Sequence, residues 1–137
     1  SVFTPEIQNL AEKAQQQLQN NTGLNLVVAA NYGGQWDIAE AAKRIAAKAV
    51  NGEITLESID KNVFGGHAAL AQHPRVDLLI RTSGEVRISN FLLWDIAYSE
   101  LYFCETLWPD FDANELDIAI NNFHSRDRRF GERNGEK

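Results

Sequence analysis

The side chains best suited to hold an anion are concentrated between residues 81 and 91, which read RTSGEVRISNF. Arg81 and Arg87 are six positions apart, and Gly84 between them permits a tight turn. Arg81 ends a predicted strand, and Ser89 begins a predicted helix, whose N-terminus would carry free N–H groups and positive partial charge. Because one guanidinium group can bind two phosphate oxygens at once, the pattern predicts a diphosphate-binding loop. Spacing alone leaves open a surface loop with two solvated arginines.

Glu100 is the second candidate for a chemical role. It follows an apolar run that is predicted to continue the helix beginning at Ser89. Carboxylate oxygens are ligands of Mg²⁺, so Glu100 is a candidate metal ligand. A helix of this length would separate it from Ser89 by about 16 Å. We therefore expect Glu100 to serve a different site from the one that Arg87 lines, for instance in a partner subunit. The alternative is an exposed carboxylate at a helix end.

Other residues that could do chemistry are better explained by structural roles. Cys104 is the single cysteine, which excludes an internal disulfide, and its apolar neighbours predict a small buried residue. His67 and His73 lack the spacing of a metal site. Asp37 is predicted to cap the helix after a Gly-Gly turn, with Trp36 packing against it.

Composition limits the classes of function. The chain has 137 residues, 44% hydrophobic and 23% charged, which fits one globular domain. Its net charge of -6 argues against nucleic acid as a partner, although one local basic loop can still bind a phosphate. No apolar run approaches the ~18 residues that a membrane helix needs, and no signal peptide is recognisable. With its single cysteine, the chain fits a reducing, cytoplasmic location.

Helix and strand patterns alternate along the chain, which predicts an α/β domain with a parallel sheet. Thr4 precedes the first predicted helix as its N-cap, and Asp112 with Glu115 forms a capping box for the last one. The predicted helices cover about residues 5–19, 37–50, 58–72, 89–98 and 112–129. The predicted strands are 24–32, 76–82 and a short one within 101–108.

This inventory of strands is too small for a complete sheet. A parallel strand that is buried on both faces needs neighbours on both edges, so we expect N-terminal strands to be missing or supplied by another chain. The sequence also has more large apolar side chains than a small half-domain can bury. These large apolar side chains predict a subunit interface. They belong to Trp94, Tyr98, Leu101, Tyr102, Phe103 and Trp108.

Three segments resemble a known family. Residues 76–112, VDLLIRTSGEVRISNFLLWDIAYSELYFCETLWPDFD, resemble the C-terminal signature of the cis-prenyltransferases. Residues 25–38, NLVVAANYGGQWDI, and 126–131, RDRRFG, match two further family segments. The resemblance covers nearly the whole chain, and its longest motif is highly specific. It implies the three-layer, parallel-sheet α/β fold of this family, here incomplete because its N-terminal strands are missing.

The resemblance also implies an activity. Bacterial members of the family condense isopentenyl diphosphate units onto farnesyl diphosphate with cis double bonds. Their product, undecaprenyl diphosphate, becomes the lipid carrier for cell-wall precursors. Members of this type require Mg²⁺ and act as homodimers, and their lipid product implies peripheral contact with a membrane.

Site residues follow from the same motif. The resemblance implies that Arg81, Arg87 and Ser89 hold the diphosphate of isopentenyl diphosphate, together with the backbone of Ile88. It implies that Glu100 is the Mg²⁺ ligand and acts across the dimer. Position 86 holds Val where several relatives carry a metal-associated His, and Val cannot coordinate a metal.

The chain lacks segments that belong to the N-terminal half of the family pattern. The DGNGRWA loop, which holds the family's catalytic Asp, and the SSENW segment do not occur in it. Asp37 and Asp95 stand in other contexts and do not replace that Asp. We therefore expect residues 1–130 to be the C-terminal half of one enzyme domain, followed by a polar tail at 131–137. We expect this half alone to be inactive.

Two other functions remain open from the sequence. One is a non-catalytic partner subunit of a heteromeric cis-prenyltransferase, against which the intact arginines, Ser89 and Glu100 argue. The other is a generic phosphate-binding α/β domain, which is all that spacing alone supports.

Overall fold

The computed structural model describes residues 3–126, which divide into two compact units, one ending at Tyr32 and one beginning at Gly33. The first unit contains helix α1, Pro5–Leu18. Thr4 precedes it in extended conformation, and Pro5 fits its first turn because a fixed φ suits a helix start. This confirms the predicted helix, although the Thr4 side chain makes no capping hydrogen bond.

The predicted strand at 24–32 is wrong. Residues 24–29 form no regular structure, and the apolar side chains of this run are largely exposed, with Leu24 at 93% and Leu26 at 80%. An apolar run becomes a strand only when another strand satisfies its N–H and C=O groups. The described residues supply no strand that pairs with this segment.

The second unit begins with the longest helix, α2, Gly34–Val50. Its buried residues are Gly34, Asp37, Ala41 and Ile45, which recur at helical spacing on one face. The helix starts three residues earlier than expected, so Asp37 is not its cap but a buried residue of its first turn. Trp36 is 61% exposed and does not have the packed position that the sequence suggested.

The next segment is less helical than its pattern predicted. Helix α3 covers only Lys61–Gly65, and the Asp60 carboxylate caps it by accepting from Asn62 N and Val63 N. The chain then forms turns through residue 72. The prediction of a helix over 58–72 is therefore wrong in extent, and two successive glycines, which favour a helix end, explain its early stop.

A parallel pair of strands forms the sheet. Strand β1 is Leu78–Arg81 and strand β2 is Glu100–Phe103, with Leu78 opposite Glu100 and Arg81 opposite Phe103. This confirms both the parallel pairing and the short third strand of the sequence prediction. It also places Arg81 at the carboxyl end of the pair and Glu100 at the amino end.

Helix α4, Ala113–His124, closes the described part of the second unit. Asp112 caps it by accepting from Glu115 N at 3.1 Å, as the sequence predicted. The predicted continuation through residues 127–129 and the tail at 131–137 lie outside the described residues. The core is built of small and medium side chains: Ala41, Ile45, Ala68, Leu79, Leu92, Ile96 and Ala119. Within residues 3–126, none of the helices has the length and apolar character needed to cross a membrane.

Candidate functional site

The segment after the arginine loop is not the predicted helix. Residues 89–98 form a series of turns, in which Ser89, Asn90 and Leu92 have φ values of 43°, 64° and 44°. A right-handed helix cannot contain such residues, because its φ is near −63°. One helical-type bond survives, from Ile96 N to Leu92 O at 3.0 Å. Ser89 is therefore not an N-cap, and no helix N-terminus follows it.

The loop itself is fixed by backbone hydrogen bonds to the chain that follows β2. Ser83 N donates to Thr106 O, and Gly84 N donates to Cys104 O, both at 2.9 Å. Gly84 has φ +68°, and a Cβ there would lie 2.5 Å from Glu105 Oε2. The positive φ favours glycine here, and a larger residue would in addition displace the end of the Glu105 side chain. The loop is held at the carboxyl end of the strand pair, where ligands of parallel α/β sheets bind.

The two arginines occupy one loop but differ in their surroundings. Arg81 Nη1 donates to the carbonyl oxygen of Arg87 at 2.5 Å, so the Arg81 side chain closes the loop upon itself. The Arg87 guanidinium forms an ion pair with Glu85 and remains 62% exposed. Arg81 thus donates one of its hydrogen bonds within the loop. Arg87 faces solvent, and an anionic ligand can replace Glu85 as its partner.

The end of this loop is attached to the first turn of α2. Asn90 O accepts from Gly34 N at 2.6 Å, and Asn90 Oδ1 accepts from Gln35 N at 2.8 Å. These bonds satisfy two N–H groups that a helix N-terminus otherwise leaves unpaired. A Cβ on Gly34 would lie 2.7 Å from Leu93 Cγ and 3.0 Å from Asn90 O, which shows how closely the segments approach.

Glu100 lies away from the arginine loop. It is the first residue of β2, three strand positions from the level of Arg81, a separation of about 10 Å. Glu100 does not follow a helix, so the helix from which its distance to Ser89 was predicted is absent. Glu100 Oε2 accepts from Arg126 Nη1 at 2.9 Å, and the same nitrogen donates to Leu101 O at 3.2 Å.

Two further carboxylates lie close together, one of them, Asp37, within the first turn of α2. Asp37, only 2% exposed, accepts from Ala69 N at 3.0 and 3.2 Å. Asp95 has one oxygen, Oδ2, that is buried and accepts no hydrogen bond. Burial raises the pKa of Asp95, and the nearby charge of Asp37 raises it further. The charge of Asp37 and the burial of Asp95 thus both disfavour the ionised form of Asp95.

An open pocket of about 820 Å³ lies at the amino ends of the strands and includes Lys61, Arg75, Trp94 and Asp95 in its lining. The lining does not include the arginine loop. Among residues 3–126, no group of three or more His, Cys, Asp or Glu side chains could hold a metal ion. Glu100 therefore offers a single carboxylate. That suits Mg²⁺ only where substrate phosphates and water complete its octahedral shell.

Sequence reasoning found the arginines but missed the residues that arrange them. Neither Glu85 nor Asn90 was singled out. Glu85 pairs with Arg87 two positions away, whereas Asn90 acts through Gln35, which lies 55 positions away and comes near only on folding. One signal was available for Asn90: Asn is the non-glycine residue best suited to positive φ, and Gly33 and Gly34 mark a place where another segment can approach closely.

Comparison with known proteins identifies the family of this chain. The sequence profile of the prenyltransferase family described as undecaprenyl diphosphate synthase matches residues 1–131. The chain belongs to this family. Relatives from Haemophilus influenzae and Vibrio parahaemolyticus are 52% and 50% identical over 131 residues. Both are named ditrans,polycis-undecaprenyl-diphosphate synthase, specific for (2E,6E)-farnesyl diphosphate.

A solved structure confirms the fold class. Lavandulyl diphosphate synthase from Lavandula x intermedia, solved in complex with dimethylallyl diphosphate, superposes with a TM-score of 0.91 at 38% identity. The matched region covers 96% of this chain but only 56% of that one, and 52 to 55% of the two bacterial relatives. The chain thus spans about half the length of the family members it matches. This agrees with the expectation of an incomplete α/β sheet.

Proposed function

We propose that the protein of which this chain forms a part elongates prenyl chains, adding isopentenyl diphosphate to farnesyl diphosphate to give undecaprenyl diphosphate. In this proposal the chain supplies the loop that binds the diphosphate of isopentenyl diphosphate. The observation that carries it is the closed loop of Arg81 and Arg87 at the carboxyl end of the strand pair, in a chain of this family. The product would serve as the lipid carrier of cell-wall synthesis.

The loop suggests a division of labour. Arg87 exchanges its exposed pairing with Glu85 for the diphosphate, which is a stronger bidentate partner. Arg81 holds the loop closed through its bond to Arg87 O and contributes positive charge. The Ser89 hydroxyl and the Ile88 backbone complete the binding surface. Fixing the diphosphate in this way would orient the homoallylic double bond toward the growing chain, which lowers the entropic part of the barrier.

Glu100 is the proposed Mg²⁺ ligand. Mg²⁺ would neutralise charge on the departing diphosphate. Since Glu100 and the arginine loop lie at opposite ends of the strand pair, one chain would present them to different sites. A homodimer brings the Glu100 of one subunit to the other subunit's arginines. Exposed Tyr98 and Trp108 suit such an interface.

No residue of this chain is proposed as the catalytic Asp, so the chain alone is expected to bind a diphosphate without transferring a prenyl group. The alternative of a non-catalytic partner subunit gains no support from the relatives, since both are named synthases.

Calorimetric titration of the whole 137-residue chain with isopentenyl diphosphate, inorganic pyrophosphate and ADP tests the proposal. We expect the two simple diphosphates to bind and ADP to bind more weakly. Arg87→Gln should weaken binding about tenfold, the change expected for loss of one charge-assisted contact.

Arg75→Gln is the matched control, because it removes the same charge from the pocket at the amino ends of the strands. Equal losses in the two variants would show that binding follows net charge alone, which contradicts the proposed site. A preference for ADP would instead indicate a general nucleotide- or phosphate-binding domain.

A further inference from the structure

The attachment of the arginine loop to helix α2 assigns a role to a residue outside the diphosphate-binding set. Asn90 is the third residue after Arg87. It accepts two hydrogen bonds from the first turn of α2, one with its backbone oxygen and one with its side-chain oxygen. The intervening Ile88 and Ser89 are the other proposed ligand-binding positions. The whole binding stretch is thus fixed at one end by β1 and at the other by Asn90.

The backbone at this point is held in a conformation that most residues avoid. Ser89 and Asn90 both have φ in the left-handed region, at 43° and 64°. Such conformations persist only when surrounding contacts enforce them. Asn tolerates this region better than most residues, and its side-chain oxygen reaches Gln35 N at 2.8 Å.

The partner surface is shaped to receive Asn90. Gly34 has no room for a Cβ, which would meet Leu93 Cγ at 2.7 Å and Asn90 O at 3.0 Å. The atom nearest to a Cβ on Gly33 would be Asn90 Nδ2, at 3.0 Å. The two glycines therefore allow the segment to lie against the helix terminus. Helix α2 extends over 17 residues and buries one face, so the loop is attached to a long, packed element.

We infer that Asn90 is a positioning residue, which anchors the arginine loop to the N-terminus of α2 and so sets the affinity of the loop for a diphosphate. The inference rests on the proposed function for its ligand, but not for the anchoring itself. Asn90 does not itself bind the diphosphate; it acts through Arg87 and Ser89.

Two substitutions separate the side-chain bond from the backbone conformation. Asn90→Gly keeps full tolerance of positive φ and loses the acceptor for Gln35 N. Asn90→Asp keeps both the acceptor and the tolerance, and its charge is favourable at a helix N-terminus. Asp112→Ala is the control for general stability, because it removes a similar capping bond from α4.

The first measurement is tryptic cleavage of the whole chain without ligand, with fragments quantified by mass spectrometry. Release of the loop should raise the rate of cleavage after Arg87 several-fold in Asn90→Gly, while cleavage after the exposed Arg75 stays unchanged. Asn90→Asp and Asp112→Ala should resemble the wild type at Arg87. The second measurement is affinity for inorganic pyrophosphate, which we expect to fall about five- to tenfold in Asn90→Gly, as for the loss of one hydrogen bond.

The outcomes separate the two proposals. Unchanged cleavage after Arg87 in Asn90→Gly would overturn the inference, as would equal acceleration in Asp112→Ala. Faster cleavage with weaker pyrophosphate binding supports it. If cleavage rises but neither Asn90→Gly nor Arg87→Gln alters pyrophosphate affinity, the proposed function fails. The anchoring role of Asn90 then stands without its ligand.

Discussion

The two long helices of the second unit begin in different ways. Helix α4 is capped by its immediate predecessor, Asp112, whose carboxylate accepts from Glu115 N. Helix α2 is preceded by Gly33, which has no capping side chain. Asn90, 55 positions away from Gln35, accepts the hydrogen bond from the Gln35 N–H group of the first turn. One terminus is thus completed by local sequence and the other by tertiary structure.

The two kinds of cap differ in whether a change at the cap affects another segment of the chain. A local cap stabilises its own helix and can be altered without moving another part of the chain. A tertiary cap joins two segments, so a change on either side is felt on the other. In this protein the tertiary cap holds the arginine loop, whereas the local cap begins helix α4, which packs against β2.

The largest expected effect comes from closing the space at the α2 terminus. Gly34→Ala would place a Cβ 2.7 Å from Leu93 Cγ and 3.0 Å from two backbone atoms. Because the backbone must shift to relieve this overlap, we expect a loss of about 1–3 kcal/mol in the free energy of unfolding. Urea denaturation followed by circular dichroism measures it.

Gly23→Ala is the matched control, since nothing lies within 4 Å of a Cβ at that position. It should leave stability nearly unchanged. A Gly34→Ala variant as stable as this control would show that the two segments are not packed as closely as the geometry indicates.

The local cap should give a smaller and more confined effect. Asp112→Ala removes the hydrogen bond to Glu115 N and should cost about 1 kcal/mol. Hydrogen exchange should accelerate in the first turn of α4 and remain unchanged at Gly34 and Gln35. Faster exchange at both helix termini would contradict the distinction between a local and a tertiary cap.

The carboxylates beside α2 give a pH-dependent prediction. Since burial and Asp37 raise the pKa of Asp95 in the folded chain, deprotonation of Asp95 opposes folding. Its unfavourable contribution is absent below the ordinary aspartate pKa of about 4 and grows as pH rises toward the raised folded value. Asp95→Asn should therefore raise the urea midpoint at pH 7, by less than the loss at Gly34, and have little effect at pH 3. An equal gain at both pH values would exclude charge as the cause.

The smallest effect is expected at the other end of α4. Arg126 follows that helix and pairs with Glu100 at the start of β2, with both side chains partly exposed. Partly exposed ion pairs contribute roughly 0.5 kcal/mol or less. A double-mutant cycle with Arg126→Gln and Glu100→Gln measures the coupling. A coupling well above 1 kcal/mol would show that tertiary contacts also dominate the end of α4.

Much of the local structure could be predicted. The spacing of Ala41 and Ile45 gave α2, and Asp112 with Glu115 gave the start of α4. These signals work because they depend on residues within one or two turns of each other. The resemblance to the family could also be read directly, because its motif around Arg81 and Arg87 is long.

Three expectations failed for the same physical reason. The run beginning at Leu24 has the composition of a strand, but no described residue pairs with it. The run after Ser89 has apolar residues at helical spacing, yet docking against Gly34 holds Ser89 and Leu92 at positive φ. Glu100 consequently begins a strand and does not end a helix. In each case a distant partner, present or absent, outweighed local preference.

The sequence by itself therefore determined the family, the cap of helix α4 and the presence of two arginines on either side of a glycine. Only the tertiary structure decided which groups meet. It closed the loop through Arg81, attached its end to α2 through Asn90, and separated it from Glu100 along the strand pair. Periodicity and capping report interactions between neighbours in the chain, whereas contacts between distant segments depend on the packing of the whole unit.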